Sequence, residues 1–196
     1  MPARRAPVRE ALEDEWLVVR AQLGEREAFD ALVRRWHPPL WQYARRLTGR
    51  DEAAADAVQD VWMRVLRGLG RLREAARFRP WLFGIARRVL MDRLREKYRD
   101  AGVVAIETVD EGGLPPADEG SDPAEDLDRV ELTGRLHDAL AALPVVEREV
   151  IVLFYLRELP VGELAEVIGV PPGTVKSRLF RARRELRRLM EGAVSS

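Results

Sequence analysis

The chain has 196 residues, with 33 basic and 33 acidic side chains and no cysteine, so disulfides, thiolate metal sites and cysteine nucleophiles are excluded. Zero net charge conceals a split: residues 1–100 carry +7, residues 101–131 carry −9 and residues 132–196 carry +2. Local field, not net charge, governs association with a polyanion. His37 and His137 stand alone, and no carboxylate pair sits with His, Ser or a Gly-rich loop in a catalytic arrangement. The longest apolar run, Val150 to Leu156, is too short to span a bilayer. The expectation is a soluble cytoplasmic protein with no membrane insertion, no catalytic residues, no cofactor and no metal.

From Leu12 to Arg99 the pattern is helical, with breaks expected at Gly24, at His37-Pro38-Pro39, at Thr48-Gly49 and from Gly68 to Gly70. In a helix from Asp51 to Leu66, Ala54, Val58, Val61 and Val65 form one apolar stripe. Asp56, Gln59, Asp60 and Met63 lie on the opposite arc. A soft apolar contact ringed by polar ones fits a protein-binding surface, and equally a solvated helix with a stray methionine. A helix beginning near Pro80 buries Leu82, Phe83, Ala86, Val89, Leu90 and Leu94, and presents Trp81, Gly84, Arg88, Asp92, Arg95 and Arg99, with Phe78 just upstream. Rings and arginines along one face match single-stranded nucleic acid, although a tryptophan at a helix start caps a core as readily as it stacks on bases.

Between Asp100 and Asp126 the helical period disappears into a Gly, Pro, Asp and Glu-rich stretch. It reads as a flexible acidic linker that holds two modules apart without fixing their orientation. Helical pattern resumes with Leu132, Leu136, Leu140 and Leu143, ends at Pro144, and returns over Val150 to Leu156, expected as a fully buried helix. The fold class is therefore all-α, with two small helical domains at 10–99 and 128–190 joined by a linker at 100–127.

The last sixty residues carry the sharpest signal. Leu164, Val167 and Ile168 form a buried stripe, Ala165 allows close crossing, and Gly169 suits a left-handed turn before Pro171 and Pro172 restart the chain. In the following helix Val175, Leu179, Ala182, Leu186 and Leu189 form an apolar seam. Lys176, Ser177, Phe180, Arg181, Arg184 and Arg188 occupy the other side. Only Glu185 and Glu191 stand near to balance those arginines, and a solvated helix has no use for a phenylalanine in its polar arc. The pattern is a helix-turn-helix whose second helix is suited to a DNA groove.

Together these segments resemble the second and fourth regions of bacterial sigma factors, carried by DEAAADAVQDVWMRVL through ARRVLMDRLR and by ALAALPVVEREVIVLFYL through SRLFRARREL. With no other regions, the chain resembles the extracytoplasmic-function (ECF, sigma-70-like) class. The resemblance implies a promoter-specificity subunit that binds core RNA polymerase and promoter DNA and promotes DNA opening. It implies docking on the β′ clamp helices through Asp56, Gln59, Asp60 and Met63, with contacts to the β subunit as well. It implies reading of a −10 element, partly single-stranded, by the loop from Gly68 to Arg77 and by Phe78, Trp81, Arg88 and Arg95. Reading of a −35 element falls to Lys176, Ser177, Phe180, Arg181 and Arg184, and an anti-sigma factor is a further implied partner. Asp60 stands where the family often has Glu, and Arg88 where it commonly has Asn. The competing reading is a stand-alone helix-turn-helix regulator binding duplex operator DNA by itself.

Overall fold

The computed structural model describes residues 6–100 and 126–192, all of it helix, turn or short connection. Four long helices make the N-terminal domain: α1 (Ala6–Gln22), α2 (Arg26–Thr48), α3 (Asp51–Gly68) and α4 (Phe78–Asp100). Four more make the C-terminal one: α5 (Asp126–Ala142), α6 (Val145–Ile151), α7 (Val161–Ile168) and α8 (Pro172–Gly192). Of the linker expected at 100–127, residues 101–125 lie outside the described residues, while Asp100 still belongs to α4 and Asp126 and Leu127 already belong to α5.

Two turns follow directly from glycine. Gly24 and Gly49 adopt φ of 92° and 74°, a left-handed conformation that costs other residues about 1–2 kcal/mol. The Gly49 amide donates to the Arg45 carbonyl at 3.0 Å and closes α2. The break expected at His37-Pro38-Pro39 does not occur, because α2 runs straight through both prolines. Their rings remove the bonds that would reach the Arg34 and Arg35 carbonyls, a penalty of about 3 kcal/mol at an interior site. His37 and Pro38 are exposed, so water can serve those carbonyls. Leu32, Leu40, Tyr43, Ala44 and Leu47 on the opposite face are buried and hold the helix in register.

The core of the first domain follows the expected phase. Ala54, Val58, Val61 and Val65 of α3 are buried, as are Leu82, Phe83, Ala86, Val89, Leu90 and Leu94 of α4. Ile85 and Met91 are buried too, so the front half of α4 is enclosed on nearly every side. Trp36, Tyr43, Phe78 and Phe83 pack edge to face, with ring centroids 5.7–6.2 Å apart, the geometry aromatic quadrupoles favour. One face of α1 and of the turn after it stays open, where Leu12, Trp16, Val19 and Leu23 are all exposed and the Arg20 guanidinium lies 4.1 Å from the centre of the Trp16 ring.

In the second domain the segment expected as one fully buried helix divides. Val145–Ile151 is α-helical, while Val152–Leu156 widens into a π-helical turn. Val150 to Leu153 are buried, but Tyr155 and Leu156 emerge into solvent. The widened turn rotates the last residues off the buried stripe and leads into Glu158, a non-glycine residue at φ 50°. Leu132 and Leu136 are likewise exposed, so the α5 stripe is buried only from Leu140 onward. His137 is 6% exposed, and burial lowers its pKa below the usual histidine value.

The two domains do not stand apart. One continuous apolar core runs from Val18 and Leu32 through Phe83 and Leu94 to Leu153, Leu164 and Ala182. Helix α4 packs along α7, and α2 meets α6 and the π-helical turn. The independent orientation expected of the modules is thus replaced by a docked pair.

Candidate nucleic-acid interface

Helix α7 ends where Gly169 takes φ 76°, and its amide donates to the Ala165 carbonyl at 2.8 Å. The chain restarts at Pro171, whose carbonyl accepts from the Thr174 and Val175 amides at 2.9 and 3.2 Å. This turn sets α8 across α7 with Leu164, Ala165, Val167 and Ile168 facing Val175, Leu179 and Ala182, all buried; Leu186 and Leu189 are half-buried against the same core. The opposite face emerges as expected. Lys176, Ser177, Phe180, Arg181 and Arg184 are exposed, and Phe180 leaves 62% of its surface in solvent. The Ser177 hydroxyl donates to the Thr174 carbonyl at 2.9 Å. Arg181 lies 3.9 Å from the half-buried Glu147 at the start of α6, a loose contact at the limit of an ion pair.

A second basic surface lies where α3 gives way to α4. Leu72, Arg73, Glu74, Arg77, Pro80, Trp81, Gly84 and Arg88 line a cleft of about 440 Å³. Trp81 is half-buried and forms one wall. Gly68 eases this placement, since a Cβ there would stand 3.1 Å from the Trp81 ring and push it by a few tenths of an ångström. Arg88 is exposed and returns a hydrogen bond to the Gly84 carbonyl at 3.2 Å. Arg95, a turn and more along α4, is exposed and paired with Asp92 at 3.2 Å. Phe78 departs from expectation. It is 1% exposed, packed between Trp36 and Trp81, so it cannot stack on a base and instead backs the Trp81 wall. The helix begins at Phe78, two residues earlier than expected, which turns that ring inward.

The third surface is the outer face of α3. Asp56, Gln59 and Met63 are exposed and Asp60 is half-exposed. The Arg93 guanidinium crosses from α4 to bind the Asp60 carboxylate and the Asp56 carbonyl, so Asp60 is partly committed within the chain. Leu66, 58% exposed beside Met63 at 45%, enlarges the apolar centre of this face. Sequence reading missed it, although its spacing of three from Met63 was the available signal.

One further residue joins the cleft from across the molecule. Glu166 of α7 completes its lining and accepts a hydrogen bond from Arg77 at 2.6 Å; that carboxylate holds the Arg77 guanidinium still more firmly in its charged form.

Residues 32–100 match the family model for sigma-70 region 2, and residues 133–186 that for sigma-70 region 4. The chain is 31% identical to the ECF RNA polymerase sigma factor SigW of Bacillus subtilis, across 84% of this chain and 90% of that one. It is 35% identical to the ECF RNA polymerase sigma factor SigM of Mycobacterium tuberculosis, across 85% and 79%. Among solved structures, the sigma factor RpoE of Bartonella quintana, in complex with the anti-sigma factor NepR, superposes with a TM-score of 0.67 at 27% identity, covering 83% of this chain and 96% of that one. With both regions in order and relatives matched over most of their length, the chain belongs to the ECF class of RNA polymerase sigma factors.

Proposed function

We propose that the chain directs core RNA polymerase to promoters through three separate faces. Residues 128–190 read the −35 element as duplex, with Lys176, Ser177, Phe180, Arg181 and Arg184 in the major groove. Residues 10–99 bind the −10 strand in the cleft walled by Trp81, with Arg88 and Arg95 tracking its backbone and Phe78 acting only as the support behind Trp81. Asp56, Gln59, Asp60 and Met63, enlarged by Leu66, dock on the β′ clamp helices, and the β subunit is a further contact. Residues 100–127 form the acidic tether between the two readers. The chain does no chemistry of its own, and it works in the cytoplasm beside the polymerase. An anti-sigma factor is its regulator, a reading supported by the complex in which its Bartonella relative was solved.

The observation that carries this reading is the presence in one chain of an open Arg and Phe face on α8 and a Trp-walled basic cleft on α4. A stand-alone operator-binding regulator has use for the first and none for the second. Among the described residues no helix is long and apolar enough to cross a membrane. The test is to reconstitute core polymerase with the chain on fragmented genomic DNA and map permanganate-reactive thymines. Melted segments downstream of a shared −35 sequence are expected with both proteins present and with neither alone. Tight, specific duplex binding by the chain without polymerase would favour the regulator instead.

A further inference from the structure

The Trp81 wall of the α4 cleft stands on residues that never reach the cleft. Phe78 lies behind Trp81, with ring centroids 6.2 Å apart and planes tilted by 41°. Phe78 in turn meets Trp36 of α2 edge to face at 6.2 Å, and Trp36 meets Phe83 in the same way at 6.1 Å. Phe78 and Phe83 are buried, but Trp36 is only half-buried. A cavity of about 380 Å³ lies beside it, lined also by Asp14, Phe78 and Arg79, so close packing alone does not fix this ring. A hydrogen bond does: the Trp36 indole N–H donates to Asp14 Oδ1 of α1 at 3.1 Å. Asp14 is 8% exposed, and a buried charge is costly unless it is paired and hydrogen-bonded. Arg35, the chain neighbour of Trp36, supplies the pair at 3.1 Å from the same oxygen. It ties α1 to α2 again through Glu13 at 3.0 Å.

Resting on the reading of the α4 cleft as the −10 site, we propose that Asp14 and Trp36 are positioning residues for the −10 strand. Asp14 orients the Trp36 indole, Trp36 sets the plane of Phe78, and Phe78 holds Trp81 at the angle at which an unpaired base stacks on it. A ring that receives a base works only if its own rotamer is locked by the shell behind it. Here that shell extends across α2 to a single carboxylate on α1. Asp14 precedes residues 32–100, which match the region 2 model, so α1 governs the −10 contact from outside that region and without touching DNA. An apolar side chain in its place would remove a buried charge, yet it would leave the Trp36 N–H with no acceptor to aim at.

The full chain has five tryptophans, so 5-fluorotryptophan labelling resolves them by fluorine NMR, and the signal missing from Trp81→Phe belongs to Trp81. That signal should shift in Asp14→Leu, and also in Trp36→Phe, which keeps a ring but has no N–H to donate. It should stay in place in Asp14→Asn, whose amide oxygen still accepts. With core polymerase on a promoter mapped by its reactive thymines, Asp14→Leu and Trp36→Phe should open DNA about tenfold more slowly, the effect of losing one hydrogen bond to a charged group. Asp14→Asn should open it like the wild type. Leu47→Ala, a core truncation about three turns along α2 from Trp36, supplies a loss of stability without the lost hydrogen bond and should leave opening unchanged. Circular dichroism establishes that each variant is folded; if Asp14→Leu is not, Trp36→Phe beside Asp14→Asn carries the same comparison. A Trp81 signal unmoved in a folded Asp14→Leu or in Trp36→Phe overturns the positioning, as does normal opening by variants whose signal has moved. Asp14→Asn as impaired as Asp14→Leu overturns it too, and assigns Asp14 to its pair with Arg35. Failure of the underlying reading shows separately, as Trp81→Ala that leaves promoter opening by assembled holoenzyme untouched.

Discussion

The two nucleic-acid faces are built from the same materials and differ in what surrounds them. On α8 an apolar seam holds the helix to its domain while the arginines and Phe180 face solvent. On α4 the helix is enclosed for its first half, and its basic cleft is partly filled by a carboxylate from the other domain. A duplex reader can stand open, because a regular groove is available to it only on DNA and its non-specific binding is weak at physiological salt. A single-strand reader exposes a groove that any unpaired nucleic acid can enter.

Two phenylalanines give the strongest contrast between the faces. Phe78→Ala should destabilise the N-terminal domain by about 3–5 kcal/mol, the range for deleting a buried ring, seen as a large fall in denaturation midpoint. Phe180→Ala should change stability by less than about 0.5 kcal/mol while weakening −35 recognition by holoenzyme. Equal, small effects of the two on folding would return Phe78 to the DNA face.

The next largest effect concerns the open face. Arg181→Ala or Lys176→Ala should cost holoenzyme about 1–3 kcal/mol at a single base position if the lost contact is to a base edge. A phosphate contact would instead weaken all sequences alike. Binding to promoter variants separates the two, and unchanged affinity with unchanged preference in both variants would remove these residues from the interface.

A smaller effect comes from pH at the closed junction. Burial raises the Glu149 carboxyl above its ordinary 4.5, against the opposing pull of Arg87, Tyr43 and Arg178, and among the described residues its Oε2 has no hydrogen-bond partner. A carboxyl with a raised pKa in the docked state favours docking when protonated. Docking should therefore be strongest below 4.5 and weaken as pH rises through the raised value. Glu149→Gln, fixed in the neutral form, should flatten that dependence when protease sensitivity of the junction is followed against pH. Docking that instead tightens as pH rises would contradict the assignment.

Burial phase was legible in the sequence, and partnership was not. The stripes of α3, α4 and α8 were readable because each residue's neighbours three and four positions away declare its face. The docked domains were invisible because their contacts join residues 106 and 89 positions apart. Glu149, within the charged run Glu147-Arg148-Glu149, has the look of a solvated flank, yet it is the most enclosed carboxylate among the described residues. The break expected at Pro38-Pro39 failed for a related reason: local preference argued for a stop, and tertiary packing of Leu40 and Tyr43 overrode it.

An equally small effect on folding belongs to the face that matters most for identity. Asp56→Arg on α3 should move stability by less than about 0.5 kcal/mol, whereas reversing Asp60 also breaks its pair with Arg93 and is the less clean variant. The most direct measurement is capture of core polymerase by the tagged chain, scored for the β and β′ subunits, with the wild type beside Asp56→Arg and Met63→Glu. The wild type should retain both subunits, and each variant should lose them while melting like the wild type. Variants that fold normally and still retain β and β′ would contradict the assignment of this face, and a wild type that captures neither subunit would contradict the function itself.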